Sequence, residues 1–387
     1  MHLGHLFLLG SIVLAPVPAL AVPNYTITDL GTLPGGRGSG GFDINNNGQV
    51  TGTSGTSTGP RAFLWDSETG MRDLGSLAGN GGVSQAFGIN DNGQVTGFST
   101  NADDSQRAFL WDSATGMRDL GTGGGGENEI SDGADINNSG QVTGASNFGP
   151  SIVNAFVWDP ETGMRSIGAL SEEFPGISIG SGINDSGQVT GSSTIGETGN
   201  HAFLWDPLTG MQDLGTLAGP TGRANSFGDD INDRGQVTGG SGTGVGVFNA
   251  FLWDPTTGMQ DLGALAEGVF NAGRGINNSG QVTGQSTTAD SVDRAFLWDG
   301  TGLVDLNDLI PPGSGWTLQS GEGINDAGQI TGFGINPSGQ GRAFLLTPVT
   351  VAEVPEPGTL VLIAVGGIGL GLARHRRRQY DYRTIQR

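Results

Sequence analysis

Residues Ile89-Asn90-Asp91-Asn92-Gly93-Gln94-Val95-Thr96-Gly97, followed by Ala108-Phe109-Leu110-Trp111-Asp112, decide the fold, because the chain spells both phrases seven times. The first, Ile-Asn-x-x-Gly-Gln-Val/Ile-Thr-Gly, starts at Ile44, Ile89, Ile136, Ile183, Ile231, Ile276 and Ile324, a spacing of 45 to 48 residues. The second starts at Ala62, Ala108, Ala155, Ala202, Ala250, Ala295 and Ala343. A period of this length marks a propeller, solenoid or array, in which a unit buries its apolar face only against its neighbours. Function is therefore to be sought in what differs between units.

Each unit offers four short strands. In the second they run at about 85–90, 94–99, 108–112 and 117–121, with turn-forming Asp91-Asn92-Gly93 and Ser113-Ala114-Thr115-Gly116 between the first and last pairs. Alternation sets Phe109 and Trp111 on one face and Leu110 on the other, so both faces are covered. Four strands per unit is the pattern of a propeller blade. The ends complete each other: 25–31 matches a fourth strand with no unit before it, and 343–347 is a third strand with no fourth after it. The reading is an all-β, seven-bladed β-propeller closed by pairing of its N- and C-terminal strands, plus a C-terminal transmembrane helix. An open solenoid would need caps that the sequence does not offer.

Three segments follow. Residues 1–21 read as a signal peptide, apolar from Leu6 to Leu20 and ending in the small-x-small site Ala19-Leu20-Ala21. Residues 22–350 form the repeat domain. Residues 351–387 carry Pro355-Glu356-Pro357, an apolar run from Gly358 to Ala373, and Arg374, Arg376, Arg377 and Arg378, which would hold this end on the cytoplasmic side. Between the two ends lie 11 of the 17 basic residues and 37 of the 38 acids. So acidic a field repels nucleic acid and anionic lipid. There is no cysteine, so no disulfide staples the fold.

The C-terminal tail resembles the PEP-CTERM sorting signal of Gram-negative bacteria. That resemblance implies recognition by an exosortase-type processing enzyme, cleavage near Pro355-Glu356-Pro357, and delivery to the cell surface or an exopolysaccharide matrix, with a transient or retained inner-membrane anchor. The repeated phrases resemble the HAF-repeat family of bacterial extracellular proteins over 25–347. Its name tripeptide stands once, at His201-Ala202-Phe203. The resemblance implies an extracellular repeat domain and carries no activity with it.

Candidate sites are few. His201 is the repeat domain's single histidine, and lysine and cysteine are absent, so a Ser-His-Asp site has only His201 to use. His201 holds a position filled elsewhere by Arg or Asn and reads as a surface residue. The Asp/Asn-rich phrases resemble calcium loops but lack the bidentate Glu and the ligand spacing, and the same residues suit hairpin turns. The residue before the repeat Ile alternates: Asp43, Gly88, Asp135, Gly182, Asp230, Gly275, then Gly323. On innermost strands Asp43, Asp135 and Asp230 would share a cation such as Ca2+; the alternation also reads as a trace of pairwise duplication. Trp316, in the long connector 308–320, is either a ligand-stacking platform or a lid over the closing blade. The leading expectation is a non-enzymatic surface or matrix protein that binds polysaccharide or surface partners through the unlike loops between second and third strands. The alternative is a carbohydrate-active hydrolase or lyase using a carboxylate pair.

Overall fold

The computed structural model describes residues 24–349 apart from 125–128, 150–151, 172–175, 197–198, 220–223, 245 and 266–267. Among these residues the fold is all-β, 28 strands with two short 3-10 turns at Gly79–Gly81 and Leu306–Asp308 and no α-helix. The expected transmembrane helix gains no support. Among the described residues no helix is long and apolar enough to cross a membrane. The expected span, like the signal peptide, lies outside them.

Each repeat folds as an antiparallel meander. The second comprises Ser84–Ile89, Val95–Thr100, Gln106–Asp112 and Gly116–Asp119, within a residue or two of the sequence reading. Most repeats form separate four-stranded sheets. The fifth and sixth are fused into an eight-stranded sheet by one parallel pairing, Phe248 with Phe270. The last repeat supplies three strands, Thr317–Ile324, Ile330–Ile335 and Gly341–Pro348, and its fourth comes from the other end of the chain. Tyr25–Asp29 pairs antiparallel with Gly341–Pro348, from Tyr25 opposite Pro348 to Asp29 opposite Phe344. The two ends of the repeat domain therefore meet, as their complementary halves require.

The core lies between sheets rather than within one. Phe63, Phe109, Phe156, Phe203, Phe251, Phe296 and Phe344 are fully buried. Phe109 and Trp111 pack in one cluster with Ala62, Leu64 and Leu74 of the preceding repeat. The two faces of a third strand thus feed two successive interfaces, which is why both carry large apolar residues. Each buried Phe or Leu contributes roughly 1.5–3 kcal/mol, and the contribution recurs at each interface. Arginines of the fourth strands cover the next repeat's tryptophan: Arg72 lies 5.0 Å from the Trp111 ring centroid, Arg118 4.7 Å from Trp158 and Arg165 5.3 Å from Trp205.

Candidate functional site at the centre of the repeats

The turn after each first strand explains the letters of the repeated phrase. In the second repeat the Asn90 side-chain oxygen accepts from the main-chain N–H groups of Asn92 (3.1 Å) and Gln94 (3.0 Å). Its Nδ2 donates to Gln94 Oε1 at 2.8 Å and to the Asn137 carbonyl of the next repeat at 2.9 Å. A buried primary amide has four hydrogen-bonding positions, and all four are used. Gly93 closes the turn at φ +74°, where a side chain would be strained. Thr96 Oγ1 donates to the Phe109 carbonyl at 2.8 Å, and a Cβ on Gly97 would run into the Gln85 carbonyl. The turn chemistry is that of hairpins.

Repeated around the chain, the asparagine amide makes a closed cycle. Asn45 donates to the Asn90 carbonyl, Asn90 to Asn137, Asn137 to Asn184, Asn184 to Asn232, Asn232 to Asn277, Asn277 to Asn325, and Asn325 back to Asn45, all at 2.9–3.1 Å. The residues that follow make a second cycle: each main-chain N–H of Asn46, Asp91, Asn138, Asp185, Asp233, Asn278 and Asp326 reaches the side chain of the next, Asp326 returning to Asn46. The two cycles surround a pocket of about 150 Å³ lined by Asp, Asn and Ile alone.

Asp43, Asp135 and Asp230 all reach this pocket. Each carboxylate joins two first strands. Asp43 accepts from Ile44 N at 2.7 Å and from Ile89 N at 2.8 Å, Asp135 likewise from Ile136 and Ile183, and Asp230 from Ile231 and Ile276. Burial pushes all three carboxyls up to about 7, helped by the charges of their fellows and opposed by those N–H donors. The intervening glycines are steric necessities. A Cβ on Gly88 would lie 2.8 Å from Asp135 Cα, one on Gly182 3.1 Å from Asp230 Cα, and one on Gly323 3.1 Å from Asp43 Cα. Seven positions cannot alternate perfectly, and the mismatch falls where Gly275 meets Gly323, at 3.1 Å by the same measure. Packing therefore accounts for the alternation without a shared ion. Among the described residues no group of three or more His, Asp or Glu side chains is arranged to hold a metal ion.

Trp316 is half-buried against the core of the last repeat, edge-on to Phe344 at 6.4 Å between centroids. His201 sits beside Asp213, Nδ1 to Oδ1 2.8 Å. The Trp-Asp turns behave as the sequence suggests: Asp66 accepts from Glu68 N, Thr69 N and Thr69 Oγ1, and the threonine bonds lower its carboxyl. The sorting-signal residues Pro355, Glu356, Pro357, Arg374, Arg376, Arg377 and Arg378, and the cleavage-site residues Ala19 and Ala21, lie outside the described residues.

One recurrent set escaped the sequence reading. Ser39, Ser84, Ser131, Ser178 and Ser226 each accept from an alanine N–H of the preceding third strand and donate to a fourth-strand or connector glycine carbonyl; for Ser84 the distances are 3.0 Å from Ala62 N and 2.6 Å to Gly75 O. The signal was present, since each stands at the same offset before its repeat Ile.

Residues 353–378 match the PEP-CTERM protein-sorting motif, the mark of an exported protein. No curated protein matches the chain. Among solved structures, a prolyl endopeptidase is similar over 85% of this chain at 10% identity and a TM-score of 0.51; the chain spans about half (51%) of that protein's length. A putative TolB from Agrobacterium tumefaciens is matched over 72% of this chain and 94% of its own at 14% identity and a TM-score of 0.44. The BP39L lectin from Burkholderia pseudomallei is matched over 85% and 99% at 13% identity and a TM-score of 0.45. The first likeness is one of fold alone, and that fold is propeller-like.

Proposed function

We propose that the chain is an exported, non-enzymatic binding protein: a seven-bladed propeller of the HAF-repeat type, processed at its C-terminal motif by an exosortase-type enzyme. It is displayed at the cell surface or in the extracellular matrix of a Gram-negative bacterium, where it holds exopolysaccharide. The sorting motif over 353–378 supports the destination. The seven-membered asparagine cycle and the pairing of the chain ends support the blade count and closure.

The observation that carries the binding reading is that the shared polar residues of the repeats are engaged with one another. Asn90 uses all four of its hydrogen-bonding positions, and Asp43 uses both oxygens. The common chemistry is thereby committed to the fold. What varies lies at the opposite end of each blade from the asparagine turns, in the connections between second and third strands, where binding on rigid scaffolds usually resides. The test is incubation of the purified protein with a panel of bacterial polysaccharides. Retention without new reducing ends is the expected result; release of reducing ends would replace a binding protein with a hydrolase.

A further inference from the structure

Every first strand carries a β-bulge just before the Asp/Gly position. In the first repeat the register passes from Gly41–Gly52 to Asp43–Thr51, leaving Phe42 without a partner. A bulge re-aims the side chain it frees, and Phe42 and Asp43 are both half-buried beside the centre. The Asp/Gly level is nearly two-valued. The bulge level is where the seven repeats disagree.

Taken in ring order, the bulge residues form a wall of two characters. Phe42 and Phe87 touch at 5.7 Å between ring centroids, and Phe87 meets Phe98 at 5.9 Å. Ala134 and Ser181, both small, follow. Then come Asp229, Arg274 and Glu322, the Arg274 Nη1 lying 3.5 Å from Asp229 Oδ1. The arc closes on itself, since Gly323, next to Glu322, abuts Asp43, next to Phe42. An acid–arginine–acid row therefore borders an aromatic pair.

Glu322 accepts from Ser320 Oγ, and the under-satisfied member of the row is Arg274. Arg274 has one long contact to a carboxylate, and its buried Nε has no hydrogen-bond partner. Native proteins leave few such donors without a reason. An anion would serve Arg274 but face two carboxylates, and a cation would serve the carboxylates but leave the guanidinium donors idle. A hydroxyl both accepts and donates, so it suits both. A molecule with several hydroxyls and one apolar face fits the row and the phenyl rings together.

We infer that this wall binds one neutral hexose unit, its apolar face on Phe42 and Phe87 and its hydroxyls on Asp229, Arg274 and Glu322. The inference rests on the polysaccharide reading above but places the hexose at the first-strand bulges, one site per chain, whereas binding through the blade-end loops would be multiple.

Calorimetric titration of the full chain with maltotriose, cellotriose and mannotriose tests it. At least one should bind saturably, with one site per chain. Arg274→Met and Phe87→Leu should each weaken binding about tenfold or more with melting temperature retained; Phe42→Leu serves if either fails to fold. Undiminished binding by the folded variants, or several sites per chain, would overturn this site and leave polysaccharide binding standing. Failure of the parent to bind any of the three would overturn the site; if whole polysaccharides were also not retained, the broader reading would fall with it.

Discussion

The Asn325 side-chain Nδ2 donates to the Asn45 carbonyl at 3.0 Å across 280 residues of chain, and this bond closes the cycle of seven. It does at the centre what Tyr25–Asp29 does at the rim. Both bonds join residues that the linear sequence places at opposite ends, so both report on closure.

Removing the rim closure should be global in effect. Deleting Tyr25–Asp29 strips the last blade of its outer strand and exposes the edge of Gly341–Pro348. Tyr25 also leaves its core position beside Phe344 and Leu346. We expect a fall in melting temperature on the order of 10 °C or loss of the folded state, read by calorimetry, given that losing a few kcal/mol is a large part of total stability. A truncated chain that melts like its parent would mean an open array.

At the centre, Asn325→Ala removes four hydrogen bonds and leaves the Asn45 carbonyl, the Gln329 amide oxygen and the N–H groups of Ala327 and Gln329 without this partner. Buried polar groups left unpaired cost about 1–3 kcal/mol each, less where water reaches them. A destabilisation of roughly 2–4 kcal/mol in urea unfolding is expected by that measure. Ser139→Ala, in a position where the side chain is variable between repeats, should cost almost nothing.

The fold was legible because its signals are periodic: Phe, Trp, Ile and Val recur at fixed places, and the orphan strands at 25–31 and 343–347 complement each other. The centre was legible only in part. Asp43, Asp135 and Asp230 were picked out by alternation, but the hydrogen bonds by which they bridge first strands were not, because these join residues some 46 to 48 positions apart, such as Asp43 to Ile89 and Asp135 to Ile183. Trp316 stood out for its irregular surroundings, and nothing local signals that its ring meets Phe344. Phe42 and Arg274 were invisible for another reason. A bulge shifts which residues face the centre, and strict alternation misplaces them.

Glycine between aspartates should be hard to replace. Gly88→Ala would put a methyl carbon 2.8 Å from Asp135 Cα, a backbone atom that cannot swing aside. Overpacking of this kind costs about 1–3 kcal/mol. Gly70→Ala is a useful contrast, because its site is open but its φ is +73°, so its cost is conformational. A neutral Gly88→Ala would show that the first strands are free to part, and packing would no longer account for the alternation.

Export and processing follow from the motif over 353–378. Intact-mass spectrometry of surface and medium fractions should find a mature chain ending near Pro355-Glu356-Pro357 and lacking residues 1–21. Replacing Pro355-Glu356-Pro357 with alanines should leave the tail in place and hold the protein in the inner membrane. Full-length soluble chain in the cytoplasm would contradict export itself.

The buried carboxylates give the stability a pH dependence of unusual sign. Asp43, Asp135 and Asp230 titrate at about 7 in the folded chain, against an ordinary 3.8. Between those values the folded state holds protons that the unfolded state has released, so stability falls as pH rises through this window. The turn carboxylates Asp66, Asp112, Asp159, Asp206, Asp254 and Asp299 are lowered and act oppositely, losing stability below about 3.8, but they lie at the surface, in contact with solvent, and count for less. The maximum should therefore lie near pH 4–5, with melting temperature dropping by several degrees, as an order of magnitude, by pH 8. The Asp43→Asn, Asp135→Asn, Asp230→Asn triple variant should start lower, since an amide NH2 now faces one strand N–H at each site, yet show a flatter profile between pH 5 and 8. A parent that gains stability over that range would mean the three carboxylates are ionised in the fold, their N–H bonds outweighing burial.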